Sequence, residues 1–218
     1  RLQGISHNAD YTAPAPNFVV TQLAASTDPS STVSITYDGQ QNVSSIVLTS
    51  GSKSQTFATS SGDTIGNLGT YLGANYSDIA FAVDATGTNI GIAAEPLASN
   101  LNWNYQSYGA WETGRGTGSG YAAVASVGNM TSGAGIPTTG NAIYTGYSGG
   151  VAISADGTQD FIVSSDFQAT ADFSTRSVSI QATNSGSYDP VNDITNINDT
   201  QYNYTGVATY DAGSNSLH

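Results

Sequence analysis

The chain has 218 residues, with 16 acidic side chains against four basic ones, and its formal net charge is −12. This charge repels nucleic acids and anionic membrane surfaces and argues against binding to either. The sequence has no cysteine, which excludes disulfides, thiolate metal sites and cysteine nucleophiles.

Charged residues make up only 9% of the chain, and Ser, Thr, Asn, Gln and Gly supply most of the polar surface. Intracellular domains carry about a quarter charged residues, so this composition is more typical of an extracellular β protein. No apolar run approaches the ~20 residues that a membrane-spanning helix needs. We therefore expect a mature, soluble, secreted product with no transmembrane segment.

The first half of the chain predicts short β-strands. Residues 1–16 contain two prolines and predict an extended arm, because proline disfavours a helix. Residues 32–37 alternate polar and apolar side chains and run into Asp38-Gly39, which is a strong hairpin signal. Similar segments recur up to about residue 100, so a small all-β domain is expected over residues 17–100.

The second half changes in composition after Pro96 and is rich in tyrosine, tryptophan and glycine. Short strands are predicted over residues 101–111, 121–127, 141–147, 151–154, 161–166, 169–173, 177–182 and 206–210. Residues 184–204 are rich in Asn, Asp and Ser and predict a long loop. Glycine inside strands suits a tightly curved sheet, so an antiparallel β-barrel is expected over residues 101–218.

Four segments of this half occur in an order and spacing found in one family of surface proteins. Residues 105–111, YQSYGAW, follow a Tyr-x-x-aromatic-Gly-x-Trp pattern. Residues 136–146, IPTTGNAIYTG, follow a Met-Pro-x-x-Gly-x-Ala-x-Tyr-x-Gly pattern with Ile136 in place of Met. An Asp-Phe hairpin over residues 165–180 and a Gly-x-Ala-x-Tyr strand over residues 204–210 come next. Together they resemble the barrel of transferrin-binding-protein-B-like proteins.

This resemblance covers about residues 101–217. It implies an eight-stranded antiparallel barrel preceded by a smaller, handle-like β domain, displayed on or released from the outer surface of a Gram-negative bacterium. Members bind host iron proteins, haemoglobin, haem or complement regulators, so it also implies a binding function in iron acquisition. The family's usual last strand has no counterpart here, so either the chain is cut short or a strand from elsewhere closes the barrel.

Groups suited to catalysis are scarce. His7, in the predicted arm, and His218, at the end, are the only histidines, and neither stands in a Ser/His/Asp context. The only glutamates, Glu95 and Glu112, stand at the ends of predicted elements and not as a pair facing a cleft. We therefore expect a protein that is not an enzyme.

Two cofactors fit residues in the sequence. If haem binds, as the resemblance implies, His7 is the candidate axial ligand, and a solvated histidine is the alternative. Calcium prefers oxygen ligands on loops, although Asx residues are also common in turns for structural reasons alone. The candidate calcium ligands are Asp156, Asp160, Asp189, Asp193 and Asp199.

Tyrosines in predicted loops are candidate contacts for a protein partner. Tyr108, Tyr147 and Tyr188 lie among Ser, Gly and Asn, a composition that makes adaptable binding surfaces. Tyrosine also favours strands, so a structural role is the alternative. A second hypothesis for the whole protein is a structural or adhesive filament subunit, in which the arm of one copy pairs with the open sheet edge of the next.

Overall fold

Antiparallel β-sheets dominate the computed structural model, which describes residues 3–14, 19–95, 106–129, 131–154 and 159–218. The strands are β1 (Gln3–Thr12), β2 (Thr21–Asp28), β3 (Ser31–Tyr37), β4 (Val43–Ser50), β5 (Lys53–Ala58), β6 (Thr64–Asn67), β7 (Ile79–Val83), β8 (Asn89–Ala94), β9 (Gln106–Thr113), β10 (Ser119–Gly128), β11 (Asn141–Ile153), β12 (Asp160–Asp172), β13 (Ser177–Asp189), β14 (Ile194–Asn196) and β15 (Tyr204–Thr209). The all-β antiparallel class is confirmed.

Helical structure in the described part of the chain is limited to single turns. These are α1 (Gly69–Leu72) and four 3₁₀ turns at Thr59–Ser61, Ala74–Tyr76, Gly133–Gly135 and Thr200–Tyr202. Within the described residues, no helix has the length and apolar character needed to cross a bilayer.

The largest sheet has seven strands in the order β2-β1-β10-β9-β8-β7-β6, and we call it the middle sheet. Strand β1 pairs along its whole length with β10, and its other side pairs with β2. The segment predicted as an extended arm is thus extended, but within the described residues it is an interior strand. The predicted domain boundary near residue 100 also falls inside this sheet, since β8 pairs directly with β9.

The five-stranded sheet contains three long strands in the order β11-β12-β13, and both β14 and β15 pair with β13. The sequence predicted two short strands where β11 runs unbroken through Gly149 and Gly150. A Cβ on Gly149 would lie 2.6 Å from Ile92 Cδ1 and 2.8 Å from Tyr108 Cε2, so this glycine allows β11 to approach the middle sheet closely. The prediction of a loop from residue 184 was wrong as far as Asp189, because β13 continues to that residue.

The smallest sheet, β3-β4-β5, contains the hairpin predicted at Asp38. The Asp38 carboxylate accepts hydrogen bonds from the backbone N–H groups of Gln40 and Asn42, at 2.9 and 2.8 Å. Gln41 takes a φ of 66°, in the left-handed region that such turns use. The turn thus obtains its hydrogen bonds from its own residues.

The three sheets stack in layers, with the middle sheet between the other two. One core lies between the three-stranded sheet and the middle sheet, where Ile46, Leu48 and Phe57 pack on Trp111 and a set of alanines. The other core lies between the middle sheet and the five-stranded sheet. Its buried members are Leu68, Leu72, Tyr76, Ile79, Phe81, Val83, Ile90, Ile92, Ala110, Ile162 and Tyr188. The described strands therefore form a layered, barrel-like sandwich and not a closed barrel.

The five-stranded sheet packs on the middle sheet and extends beyond it. The second half of β11 lies over β9 and β8, and Gly149 and Val151 face that layer. The opposite end of the sheet is built from the first half of β11, the ends of β12, the start of β13 and β15. Its residues are mostly exposed or half-buried, so we call it the projecting half.

Candidate functional site

The projecting half has one apolar face, which points away from the middle sheet. Strand register aligns Ala142, Ala171, Val178 and Ala208 in one row across β11, β12, β13 and β15. Side chains two residues apart share a face, so Tyr144 stands beside this row. The small residues of the row leave a shallow floor on which apolar groups can rest.

Two chain segments border this floor and form its wall. One is the loop that contains Ile136 and Pro137, and the other is the C-terminal segment with Leu217. Thr209 and His218 exchange two backbone hydrogen bonds of 2.9 Å, which fixes the C-terminal segment against β15. Asn215 Nδ2 donates to the carbonyl of Thr131 at 2.9 Å and joins the two segments.

The floor and its walls enclose a cleft of about 570 Å³, which we call the apolar cleft. Its lining is Thr131, Ile136, Pro137, Ala142, Tyr144, Ala171, Phe173, Val178, Tyr210, Asn215 and Leu217. The volume lies in the range of small-molecule sites, which are mostly apolar with a few polar groups. Tyr210 is buried, and its hydroxyl has no hydrogen-bond partner among the described residues. The cleft can therefore take an apolar group, and the exposed tyrosine of its lining, Tyr144, can offer a hydroxyl.

A second depression lies on the opposite face of the sheet and is more polar. It has a volume of about 430 Å³ and is lined by Thr145, Gly146, Tyr147, Asp166, Phe167, Gln168, Gln181 and Thr183. Polar groups of this kind are well hydrated, so a ligand gains less by displacing water from them than from an apolar surface. The apolar cleft is the better candidate site for this reason.

A buried ionic cluster lies between the middle and five-stranded sheets. The Arg115 guanidinium lies 3.0 Å from Asp160 Oδ2 through Nε and 3.1 Å from Asp189 Oδ2 through NH2. Glu112, only 1% exposed, accepts a 2.8 Å hydrogen bond from the Tyr11 hydroxyl. Two buried carboxylates thus pair with one guanidinium, and the third, Glu112, is near enough for the charges of Asp160 and Arg115 to act on it.

Burial sets the protonation of this cluster. It raises the pKa of Glu112 to about 8, an effect increased by the nearby Asp160 carboxylate and reduced by Tyr11 and Arg115. Burial also raises the pKa of Asp160 to about 6, although the Arg115 guanidinium opposes the rise. Between pH 6 and 8 Glu112 therefore keeps a proton that an ordinary carboxyl group has lost.

The three predicted contact tyrosines pack in the interior rather than standing together on a surface. Tyr188 is buried, its ring stacks on Tyr71 at 3.9 Å, and it is not accessible to a partner in this structure. Tyr147 is half-buried and meets Tyr76 edge to face at 5.4 Å. Tyr108 is half-buried against the same core. All three belong to the packing between the sheets, because aromatic rings supply much of its apolar area.

The predicted calcium ligands do not converge among the described residues. Asp160 and Asp189 bind Arg115 instead, while Asp193 accepts the Tyr188 hydroxyl at 3.3 Å and Asp199 accepts the Ser187 hydroxyl at 2.6 Å. No group of three acidic or histidine side chains in the described part of the chain is placed to hold a metal. Asp156 lies outside the described residues.

His7 is exposed on β1, and its Nδ1 lies 2.9 Å from Thr27 Oγ1. It lines a shallow groove of about 340 Å³ with Ala25, Ala122, Val124 and Val151, among others. This groove is separate from the apolar cleft. Haem ligation by His7 stays a prediction.

Sequence reasoning missed both Arg115 and the cleft residues Phe173 and Leu217. Arg115 is one of only four basic residues, and its position in a glycine-rich loop gave no sign of burial. The available signal was the scarcity of basic residues, because a single cation among many carboxylates is expected to form an ion pair with one of them. The cleft is assembled from segments more than 80 residues apart, which no local pattern reports.

No protein-family model and no curated protein matches this chain. Among solved structures, a double-mutant form of the vaccine antigen transferrin-binding protein B from Haemophilus parasuis Hp5 is similar, with a TM-score of 0.31 and 12% identity. The similarity covers 94% of this chain and 38% of that one, so the chain spans well under half the length of that structure. The likeness is weak and concerns the β fold.

Proposed function

We propose that this chain is a non-catalytic binding protein that takes an apolar ligand into the apolar cleft and acts at the outer surface of a Gram-negative bacterium. The observation that carries the proposal is the cleft itself. It is large enough for a small molecule, and its floor, formed by one row of the sheet, is braced by backbone hydrogen bonds. A rigid, preformed apolar site needs little reordering when it binds.

The chemistry of the lining favours binding over catalysis. Among the described residues that line the cleft, none is an aspartate, glutamate, histidine, lysine or arginine. General acid–base catalysis near neutral pH relies on groups whose pKa lies close to 7. The groups with such values, Glu112 and Asp160, lie in the ionic cluster on the other side of the five-stranded sheet.

Haem is the specific ligand that we propose for this cleft. It is a large, flat and mostly apolar molecule, which suits a site of this volume with aromatic and aliphatic walls. Tyrosine oxygen is a known axial ligand of haem iron, and Tyr144, which lines the cleft, is exposed. The low proportion of charged residues, 9%, supports the proposed place outside the cell.

Binding is tested first with Nile red, an uncharged apolar dye that suits the apolar lining of the cleft. We expect its fluorescence to rise on binding, and Tyr144→Ser to weaken the affinity about fivefold or more, which corresponds to about 1 kcal/mol. Tyr204→Ser is the matched control, since Tyr204 is an exposed tyrosine on β15 that does not line the cleft. Equal affinities of the two variants would contradict the proposed site.

Haem is tested separately by titration with haemin and observation of the Soret band. We expect a shifted band that Tyr144→Phe or Tyr144→Ser diminishes and that His7→Ala leaves unchanged. A band lost only in His7→Ala would move the haem site to the groove on the middle sheet. If no band forms while Nile red still binds, the cleft takes another apolar ligand and not haem.

A further inference from the structure

The depression opposite the apolar cleft is built from polar side chains, and we call it the polar depression. Two neighbouring rows across β11, β12 and β13 form it: Thr145, Gln168 and Gln181, then Tyr147, Asp166 and Thr183. The two rows are two residues apart on each strand, so their side chains share one face of the sheet. The volume of about 430 Å³ lies in the range of small-molecule sites.

A β-bulge next to this depression helps to position the Asp166 carboxylate. The register of β12 and β13 shifts between Ser164 and Asp166, and Asn184 on β13 takes a φ of 52° there, in the left-handed region. Bulges are frequent beside functional sites, where they redirect a side chain. Asn184 Nδ2 donates to Asp166 Oδ2 at 2.8 Å, and the Asn184 carbonyl accepts the Tyr76 hydroxyl at 3.1 Å. One carboxylate oxygen is thus held in place, and no described group donates to the other, Oδ1.

The charges that act on the polar depression are negative. Burial raises the pKa of Tyr147, and the carboxylates of Asp166 and Asp78 raise it further. The Asp166 carboxylate also adds to the effect of burial on Tyr76, whose pKa rises to about 12. Two tyrosines beside the depression thus lie in a negative potential, which favours a cationic ligand.

No described basic side chain compensates this charge. Among the described residues that line the polar depression, none is a lysine or arginine. Lys53 and Arg115 form ion pairs with other carboxylates, and Arg176 lies in the turn before β13, about 17 Å along the strand from Gln181. The compensating cation is therefore expected from a ligand, and the net charge of −12 adds a long-range attraction for it.

We propose that the polar depression binds the guanidinium group of a ligand. A guanidinium is planar, always charged and carries five N–H donors, so it pairs with a carboxylate and with neutral oxygen acceptors at once. Asp166 supplies the charge, and the half-buried ring of Tyr147 supplies an aromatic contact of the kind that cations prefer. This site lies on the opposite face of the five-stranded sheet from the apolar cleft and is independent of the function proposed for it.

Two glutamines complete the set of acceptors. Gln168 and Gln181 are exposed neighbours on β12 and β13, and their side chains take part in no hydrogen bond within the described part of the chain. Their amide oxygens can accept the guanidinium N–H groups that Asp166 leaves unpaired. A neutral ligand rich in hydroxyl groups could use the same amides but would gain nothing from the charge of Asp166. The charge of the ligand is therefore the property to test.

The test is an NMR titration of the isotope-labelled protein with butylguanidine and with butylurea, its neutral counterpart of the same shape. We expect butylguanidine to shift the amides of Tyr147, Asp166, Gln168 and Gln181 saturably, and butylurea to bind at least tenfold more weakly. Acetyl-Gly-Arg-Gly-amide identifies the source of the guanidinium. Tighter binding of this peptide would indicate an arginine of a partner protein, and tighter binding of butylguanidine would indicate a free small molecule.

Three variants examine the charge. Asp166→Asn can still accept the hydrogen bond from Asn184 and should weaken butylguanidine binding at least tenfold, while Asp211→Asn, at an exposed position outside the depression, should change it less than twofold. Gln181→Glu adds a carboxylate at an exposed strand position and should strengthen binding at least threefold, so the test does not depend on a loss alone.

Two results would overturn the proposal. One is equal affinity for butylguanidine and butylurea, or shifts confined to residues outside the polar depression. The other is saturable binding of glucose at these amides that Asp166→Asn leaves unchanged, since that would identify a neutral ligand.

Discussion

The ionic cluster around Arg115 shows how single residues set the properties of this protein. Glu112, Asp160 and Asp189 are buried around one guanidinium, so full ionisation would leave two uncompensated negative charges in the interior. Such charges are costly in a medium of low polarity. Protonation of Glu112 near neutral pH relieves part of this cost, and the cluster makes the fold sensitive to pH.

The first prediction concerns stability against pH. Folded Glu112 has a pKa of about 8 against an ordinary value of 4.5, so between these values the folded chain holds a proton that the unfolded chain has released. The contribution of Glu112 to the free energy of unfolding is therefore complete below pH 4.5 and is lost as the pH rises through 8. Asp160 contributes in the same direction, with a loss between pH 3.8 and about 6. We expect the melting temperature to fall from pH 5 to pH 9. Glu112→Gln cannot ionise, so its melting temperature should fall less over this pH range. An unchanged dependence on pH would contradict the prediction.

The second prediction removes the guanidinium. Arg115→Met keeps most of the side-chain length but leaves Asp160 and Asp189 buried without their cation, and breaking a buried pair costs about 3 kcal/mol. Urea unfolding measures the loss. Arg176→Met is the matched control, because Arg176 is exposed and should change the free energy of unfolding by less than about 0.5 kcal/mol. A similar, small loss in both variants would show that the cluster adds little.

At the scale of elements, the sequence predicted strands well wherever the signal was local. Alternation and the Asp38-Gly39 turn identified the β3–β4 hairpin, because its turn satisfies its own hydrogen bonds. The Gly149-Gly150 pair was interpreted as a break, although β11 passes straight through it. Gly149 reflects the close approach of the middle sheet, and that neighbour cannot be seen in the sequence around it.

The third prediction compares these adjacent glycines. Gly149→Val would drive the side chain into Ile92 and Tyr108, and overpacking of this kind costs about 1–3 kcal/mol. Gly150→Val has open space around its Cβ and suits a strand, so it should be neutral or slightly stabilising. Thermal unfolding of the two variants gives the comparison. Equal melting temperatures would mean that β11 does not approach the middle sheet as described.

At the scale of the whole molecule, pairings between distant parts of the chain decide the architecture. The sequence indicated that β1 is extended, yet nothing local showed that it pairs with β10, more than 100 residues away. The alternation of polar and apolar residues shows which face of a strand is apolar, but it does not show which sheet packs against that face. For the same reason Tyr188 could be interpreted as a surface contact when it is part of a core.

The layered arrangement leaves two open surfaces on opposite sides of the five-stranded sheet. The apolar cleft lies on the face that points away from the middle sheet, and the shallow groove lined by His7 lies where β11 ends its cover of that sheet. The sequence placed Ile136 and Tyr144 in conspicuous motifs, but the cleft needs the C-terminal segment as well. A function in binding thus depends on how the whole chain folds and not on any one motif.

The most direct test of the binding account is an NMR titration of the isotope-labelled protein with 1-naphthol, a soluble and uncharged aromatic ligand. The account predicts saturable shifts of the backbone amides of Ala142, Tyr144, Ala171 and Val178, which line the apolar cleft. Amides of the three-stranded sheet, such as those of Val47 and Thr56, should not move. Shifts scattered over all three sheets, or confined to residues outside the projecting half, would contradict the apolar cleft as the binding site.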